Sequence, residues 1–382
     1  MPQKLIYFDH AAATPVDGRV IKAMQPYLGD KFFNPSATYL PAKQVRKDLE
    51  AARSLVAKWL GARPSEVIFT AGGSEANNLA IHGVMQRFPK ANLVVSAIDH
   101  ESVLAPAAQY NCRKLAVKPD GLVDLGELIK SIDGQTVLVS IGYANNEIGT
   151  IEPLAEINQA LEIIRKQRLK EGNSLPLYFH SDACQAGNHL DLHVARLGVD
   201  LMTLNGGKIY GPKQSGALYV KAGVELQPLI WGGGQERGLR SGTENVAQTI
   251  GFATALDLAQ SSREAETKRL KELQLIFLNL LSELIPSSVI NGSLKHRLAN
   301  NAHVTFPGID NERLLLELEQ KSILAAAGSA CSASSEEPSH VLRAIGLSDE
   351  AARSSARFTL GRDTTEADID YVIQTLKRLI VA

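Results

Sequence analysis

Short apolar runs alternate with helix-patterned segments along most of this chain, and that rhythm constrains the fold more than any other feature. EVIFT at 66–70 precedes a helix opening near Ser74, NLVVSAI at 92–98 precedes one near Glu101, and TVLVSIG at 136–142 precedes a long helix across 153–170. LYFHSD at 177–182, DLMTLN at 200–205 and GALYV at 216–220 continue the series. This is the pattern of a sheet covered by helices on both faces. After about 250 the texture changes to a long amphipathic helix around 255–284, then strand-like AHVTF, helical NERLLLELEQ, strand-like SARFTL and a last helix from 366. The chain of 382 residues is long enough for about two domains of roughly 100–200 residues. A large α/β domain followed by a smaller one is the expectation.

The bulk properties exclude several classes of function. A net charge of −1 gives no electrostatic case for nucleic acid or a membrane surface as the main partner. MPQKLIYFDHAAATP lacks the apolar segment of a signal peptide, and no run approaches the roughly 20 apolar residues of a membrane span. Three widely separated cysteines make neither a disulfide framework nor a zinc site. A reducing cytoplasm is the expected location.

In open α/β sheets chemistry collects in loops at the carboxyl ends of the strands. AGGSEANN sets two glycines before a serine that opens a helix. Helix N-terminal amides are unpaired and suit a phosphate, although the same residues also read as a glycine turn with Ser74 as N-cap. DHESV puts His100 just past a strand, as a reacting group or as a structural hydrogen bonder. NNEIGT reads equally as a plain turn. Asp182 ends LYFHSD with Gln185 three residues on, and an acid leaving an apolar strand needs a partner. GGKIYGPK sets Lys208 beside two glycines, clearance that matters where a bulky group approaches the backbone. In combination these motifs converge on pyridoxal 5′-phosphate: a lysine to bind it, an acid for its ring nitrogen and a helix terminus for its phosphate.

A further segment fits no packing role. Cys331 lies in AAGSACSASSEEPSH at 326–340, with no bulky apolar residue between Leu324 and Val341. Structural thiols sit among apolar neighbours, and this composition cannot offset its ordering entropy. A mobile loop at about 325–338, carrying an exposed thiol, is expected.

In order, YFDHAAATPVD, NPS, FTAGGSEANNLAIHG, IDHESVL, ANNEIGT, HSDACQ, GKIYGPK, GGGQERGLRSGTEN, GSACSASSEEPSHVLRAIG and SSARFTLGR resemble the cysteine desulfurases of the class V aminotransferase superfamily. The long cysteine loop is similar to that of group I, the iron–sulfur-cluster type. The resemblance implies the type I fold of pyridoxal-phosphate-dependent transferases: a large domain at 15–254 with a mostly parallel sheet flanked by helices, and a smaller α/β domain from 1–14 and 255–382. It also implies a homodimer that converts L-cysteine to L-alanine. The sulfur would pass as a persulfide on Cys331 to an iron–sulfur scaffold or a tRNA-thiolation protein.

Carried over residue by residue, the resemblance casts Lys208 as the Schiff-base lysine, Asp182 as partner of the ring nitrogen, and His100 as the imidazole stacked on the ring and base toward the thiol. Asn146 and Gln185 fall near the ring's phenolic oxygen. Gly73, Ser74, Asn205, Gly207 and a Thr243 donated across the dimer fall at the phosphate, and Arg357 and Asn34 at the substrate. Two positions depart from the family pattern: Asn205 stands where serine is common, and Gly207 where a histidine commonly precedes the lysine. Tyr39 also replaces a frequent histidine, and the chain ends at LIVA without the longer tail of some members. The competing readings are a selenocysteine lyase, another class V aminotransferase, or a cofactor-poor scaffold protein.

Overall fold

The computed structural model describes residues 4–328 and 337–381. In chain order its strands are β1 (Ile6–Tyr7), β2 (Val67–Thr70), β3 (Asn92–Ser96), β4 (Cys112–Leu115), β5 (Thr136–Ser140), β6 (Tyr178–Asp182), β7 (Leu201–Asn205), β8 (Gly216–Val220), β9 (Val289–Ile290), β10 (Asn301–Thr305), β11 (Ile323–Leu324) and β12 (Ser355–Thr359). Seven form one sheet in the order β2-β8-β7-β6-β5-β3-β4. Only β8 runs against its neighbours. Because it lies reversed between β2 and β7, the carboxyl ends of β2, β7, β6, β5 and β3 share one edge. That edge carries the loops singled out in the sequence.

Alternate residues of these strands feed two separate cores. Val67, Phe69, Val94, Val139, Met202 and Tyr219 point into one, while Ile68, Leu93, Val95, Leu138, Leu201 and Leu218 point into the other. Strands covered on both faces therefore read as continuous apolar runs, as expected for the α/β class. The helix Gly73–Arg87 packs on the second face through Ala76, Ala80 and Val84. The helices Leu40–Leu60 and Leu154–Lys170 pack on the first.

Two elements differ from expectation. CRKL forms β4, parallel to β3, a strand missing from the series read in the sequence. It is an edge strand in which only Leu115 is buried, and charged side chains such as Arg113 and Lys114 are common on edges and mask the strand pattern. The long helix starts at Val246, not near 255, with the Asn245 side chain accepting from Gln248 N as its cap. Its first turns carry Ala247, Thr249, Gly251 and Ala253, all buried, so no polar face marks them as amphipathic.

That helix runs 39 residues to Leu284 and serves two cores. Phe252 and Leu256 join the sheet core, while Leu270, Phe277 and Leu281 join a third core with Phe8, Val304 and Phe358. The latter supports the antiparallel order β12-β10-β9 and the parallel pair β1-β11. The chain's N-terminal strand thus packs with its C-terminal third. Ala326, inside the expected loop, is still paired: it exchanges backbone hydrogen bonds with Arg357 in both directions.

Candidate active site

The loops at the shared sheet edge and strand β12 meet at a cleft. Gly73, Ser74, His100, Asn146, Asp182, Gln185, Asn205, Lys208 and Arg357 all line it. Gly207 sits in an adjoining hollow with Gly73, Ser74, Asn205 and Lys213. Two expected members lie elsewhere in this chain: Asn34 is exposed with its Oδ1 accepting from Ser36 N at 2.8 Å, and Thr243 is exposed on a loop. Cys331 lies outside the described residues.

One end of the cleft holds a helix N-terminus that no side chain caps. The helix Gly73–Arg87 has Gly72 at its N-cap with φ 131°, a value glycine favours. Ser74 is inside the first turn and is not the N-cap. A Cβ on Gly73 would stand 2.5 Å from Cys184 Sγ, so glycine is required for this approach and leaves its amide uncovered. Asn205 Nδ2 lies 3.4 Å from that same point, while Asn205 Oδ1 accepts from Gly207 N.

Neighbouring glycines at 206 and 207 differ. A Cβ at 206 would meet Ser215 Oγ at 2.2 Å, whereas at 207 nothing comes closer than 3.4 Å. Packing therefore forces glycine at the first position only.

At the middle of the cleft Lys208 Nζ donates to Ala11 O at 2.8 Å and Ala12 O at 2.6 Å. Gln185 Nε2 also donates to Ala11 O, at 2.9 Å. The N-terminal segment is thereby drawn across the site, a role the sequence did not disclose. Asp182 has both oxygens engaged: Oδ1 accepts from Cys184 N at 2.9 Å and Oδ2 from Asn77 Nδ2 at 2.7 Å. Donors on both oxygens fix the orientation of its carboxyl group.

His100 caps the helix Glu101–Ala107. Its Nδ1 accepts from Ser102 N at 3.1 Å and lies 2.8 Å from Ser102 Oγ. A neutral ring accepting at Nδ1 carries its proton on Nε2. Asp99, one residue earlier, is buried and pushed up to about 8, chiefly by desolvation. It accepts from Gly142 N and Ser96 N, tying the ends of β3 and β5 together. Burial also raises the Cys184 thiol well above its usual range, so this cysteine is held protonated.

Arg357 is 1% exposed. Its Nη2 reaches Asp9 Oδ1 at 2.6 Å and its Nη1 donates to Asn146 O at 2.9 Å, while Nε has no partner among the described residues. A guanidinium lining a cleft suits a carboxylate.

The model of the class-V aminotransferases matches residues 6–372. The chain belongs to the class-V aminotransferase family, on its cysteine desulfurase branch. The cysteine desulfurase IscS of Dictyoglomus turgidum is 41% identical, with 98% of this chain and 94% of that protein covered. Among solved structures, a NifS-like protein superposes with a TM-score of 0.90 at 31% identity, covering 99% of this chain and all of that one. SspA, solved in complex with cysteine, gives 0.78 at 34% identity over 93% of this chain and 98% of its own.

Within this member of the family the sequence reading missed Asp9, Asn77, Asp99 and Ser102. One signal was available. Asn77 falls on the helical stripe Gly73, Ala76, Ala80, Val84, where a polar residue breaks an otherwise small and apolar face. Among the described residues no helix is long and apolar enough to cross a membrane.

Proposed function

We propose that this chain is a cysteine desulfurase that binds pyridoxal 5′-phosphate at Lys208, takes sulfur from L-cysteine onto Cys331 and releases L-alanine. The observation that carries this reading is the meeting of Lys208, an oriented Asp182 and an uncapped helix N-terminus in one cleft, with Arg357 at its side. The donor set fits the cofactor: amides and Asn205 for its phosphate, a carboxylate for its ring nitrogen, an amine for its aldehyde. Bound there, the group supplies an electron sink for carbanion chemistry at the substrate.

The residues divide the remaining work. Arg357 holds the substrate carboxylate. The Lys208 amine, released from the Ala11 and Ala12 carbonyls, moves the substrate Cα proton. Asp182 keeps a negative charge opposite the ring nitrogen. The bonds at His100 Nδ1 support a donor at Nε2, in place of the thiol base suggested by the sequence. At Cys331 one S–S bond forms as the substrate C–S bond breaks. The proton that the Cys331 thiol gives up is matched by one gained at the substrate Cβ.

Both ends of the cysteine segment are anchored at the cleft. Ala326 pairs with Arg357, and His340 Nε2 donates to Asp99 O at 3.0 Å. We read residues 15–254 as the cofactor-bearing unit and residues 1–14 with 255–382 as the unit that carries this segment. The working form is a cytoplasmic homodimer in which Thr243 serves across the interface, and the sulfur acceptor is a protein. Purified protein should carry stoichiometric pyridoxal phosphate and, with a thiol reductant, release alanine and sulfide from L-cysteine in equal amounts. Consumption of cysteine only in the presence of a keto-acid acceptor, with the acceptor's amino acid and 3-mercaptopyruvate as products, would instead establish an aminotransferase.

The departure at residue 207 gives a second test. An imidazole bonded to a phosphate is worth about 1.5–3 kcal/mol, or roughly 10- to 150-fold in affinity, and a Cβ at Gly207 would meet only ordinary van der Waals contacts. Gly207→His should tighten cofactor binding to the apo-protein with a smaller change in kcat. Equal or weaker binding in a fluorescence titration would show that residue 207 does not face the phosphate.

A further inference from the structure

Asn77 joins two site residues that do not touch one another. Its side chain is fully buried, and its Nδ2 donates both to Asp182 Oδ2 at 2.7 Å and to Ser102 Oγ at 2.8 Å. Ser102 Oγ in turn lies 2.8 Å from His100 Nδ1. The amide cannot be turned around, because its oxygen would then face the Asp182 carboxylate. In the orientation it holds, Asn77 Oδ1 is buried and has no partner among the described residues. A buried acceptor left unmade costs stability, so this arrangement is held in place by what the two N–H groups do.

The polarity of the chain follows from those two donations. Ser102 Oγ accepts from Asn77, and His100 Nδ1 already accepts from Ser102 N, so the Ser102 hydroxyl proton is directed at Nδ1. We infer that Asn77 is a positioning residue, acting with Ser102, that fixes the Asp182 carboxylate and the Nε2–H tautomer of His100 together. The inference rests on the proposed roles of Asp182 and His100 in the desulfurase reaction. It makes the ring-nitrogen partner and the stacked imidazole one hydrogen-bonded unit, so disturbing either end is felt at the other.

The test compares Asn77→Ala, Ser102→Ala and the double variant in the full-length protein. Each single change should lower kcat about tenfold while KM for cysteine stays within about twofold, and the double variant should be no worse than the poorer single, because residues acting as a unit do not add. A structural role alone would not reach His100, so the deciding readout is its imidazole. In protein labelled with ¹⁵N-histidine, the Nδ1 resonance of His100 should move in the same direction in Asn77→Ala as in Ser102→Ala, although Asn77 does not touch the ring.

An unmoved Nδ1 in Asn77→Ala, or kcat losses that multiply in the double variant, would overturn the inference. If the alanine variant does not fold, Asn77→Ser, which can donate to only one of the two partners, carries the same comparison. The imidazole measurement is made with and without cofactor and so fails only if the relay fails. Failure of the desulfurase reading would appear separately, as wild-type protein that binds no pyridoxal phosphate.

Discussion

Cys331→Ser should abolish alanine release from L-cysteine while the protein still folds, binds pyridoxal phosphate and takes up substrate. A hydroxyl cannot accept the sulfur as a persulfide, so turnover should fall by about 10³-fold or more, the scale of removing a nucleophile. Neither other cysteine can stand in. Cys184 is half-buried beside the turn at Gly73, and its thiol is held protonated. Cys112 opens the edge strand β4, on the far side of β3 from the β5, β6 and β7 ends, and burial raises its thiol too. A thiolate is the reactive form, and neither site favours one. Quantifying alanine without added thiol checks this. Undiminished product from the serine variant would remove Cys331 from the mechanism.

The second large effect is expected at Lys208. Replacing it with alanine should eliminate covalent attachment of the cofactor, its visible absorbance in the bound state and turnover, again by about 10³-fold or more, because the same amine both holds the cofactor and moves the Cα proton. The nearby Lys213 does not compensate. Its Nζ donates to Thr14 O at 2.8 Å. Borohydride reduction of the wild-type protein followed by peptide mass spectrometry should place the cofactor on Lys208. Recovery of the label on Lys213 would reverse the reading of GGKIYGPK.

Most of the catalytic cleft was legible because its residues follow strands that announce themselves. GALYV at 216–220 is the strand β8 to the residue, and the other sheet strands shift by only a residue or two at their ends. Once five strand ends share one edge, the polar residue after each is brought to the same place. β4 was hidden because an edge strand can carry charge. The start of the helix at Val246 was hidden because small residues packed on all sides carry no period. Thr243 and Asn34 were not brought into the cleft of this chain, and no local pattern states which surface a loop residue faces.

The residue types at the strand ends belong to the sequence by itself: a lysine among glycines, an acid ending an apolar strand, a thiol in a run too small and polar to be core. Their chemistry is local, and so are the 2- and 3.6-residue periods that set the elements around them. Only the tertiary structure decided which atoms meet. Lys208 bonds to carbonyls 197 and 196 residues away, Asn77 reaches across to Asp182 and Ser102, and of two adjacent glycines Gly206 is forced by Ser215 while Gly207 is not. These contacts depend on how distant segments pack against one another, and a distance between segments is set by the whole fold and by no stretch of chain alone.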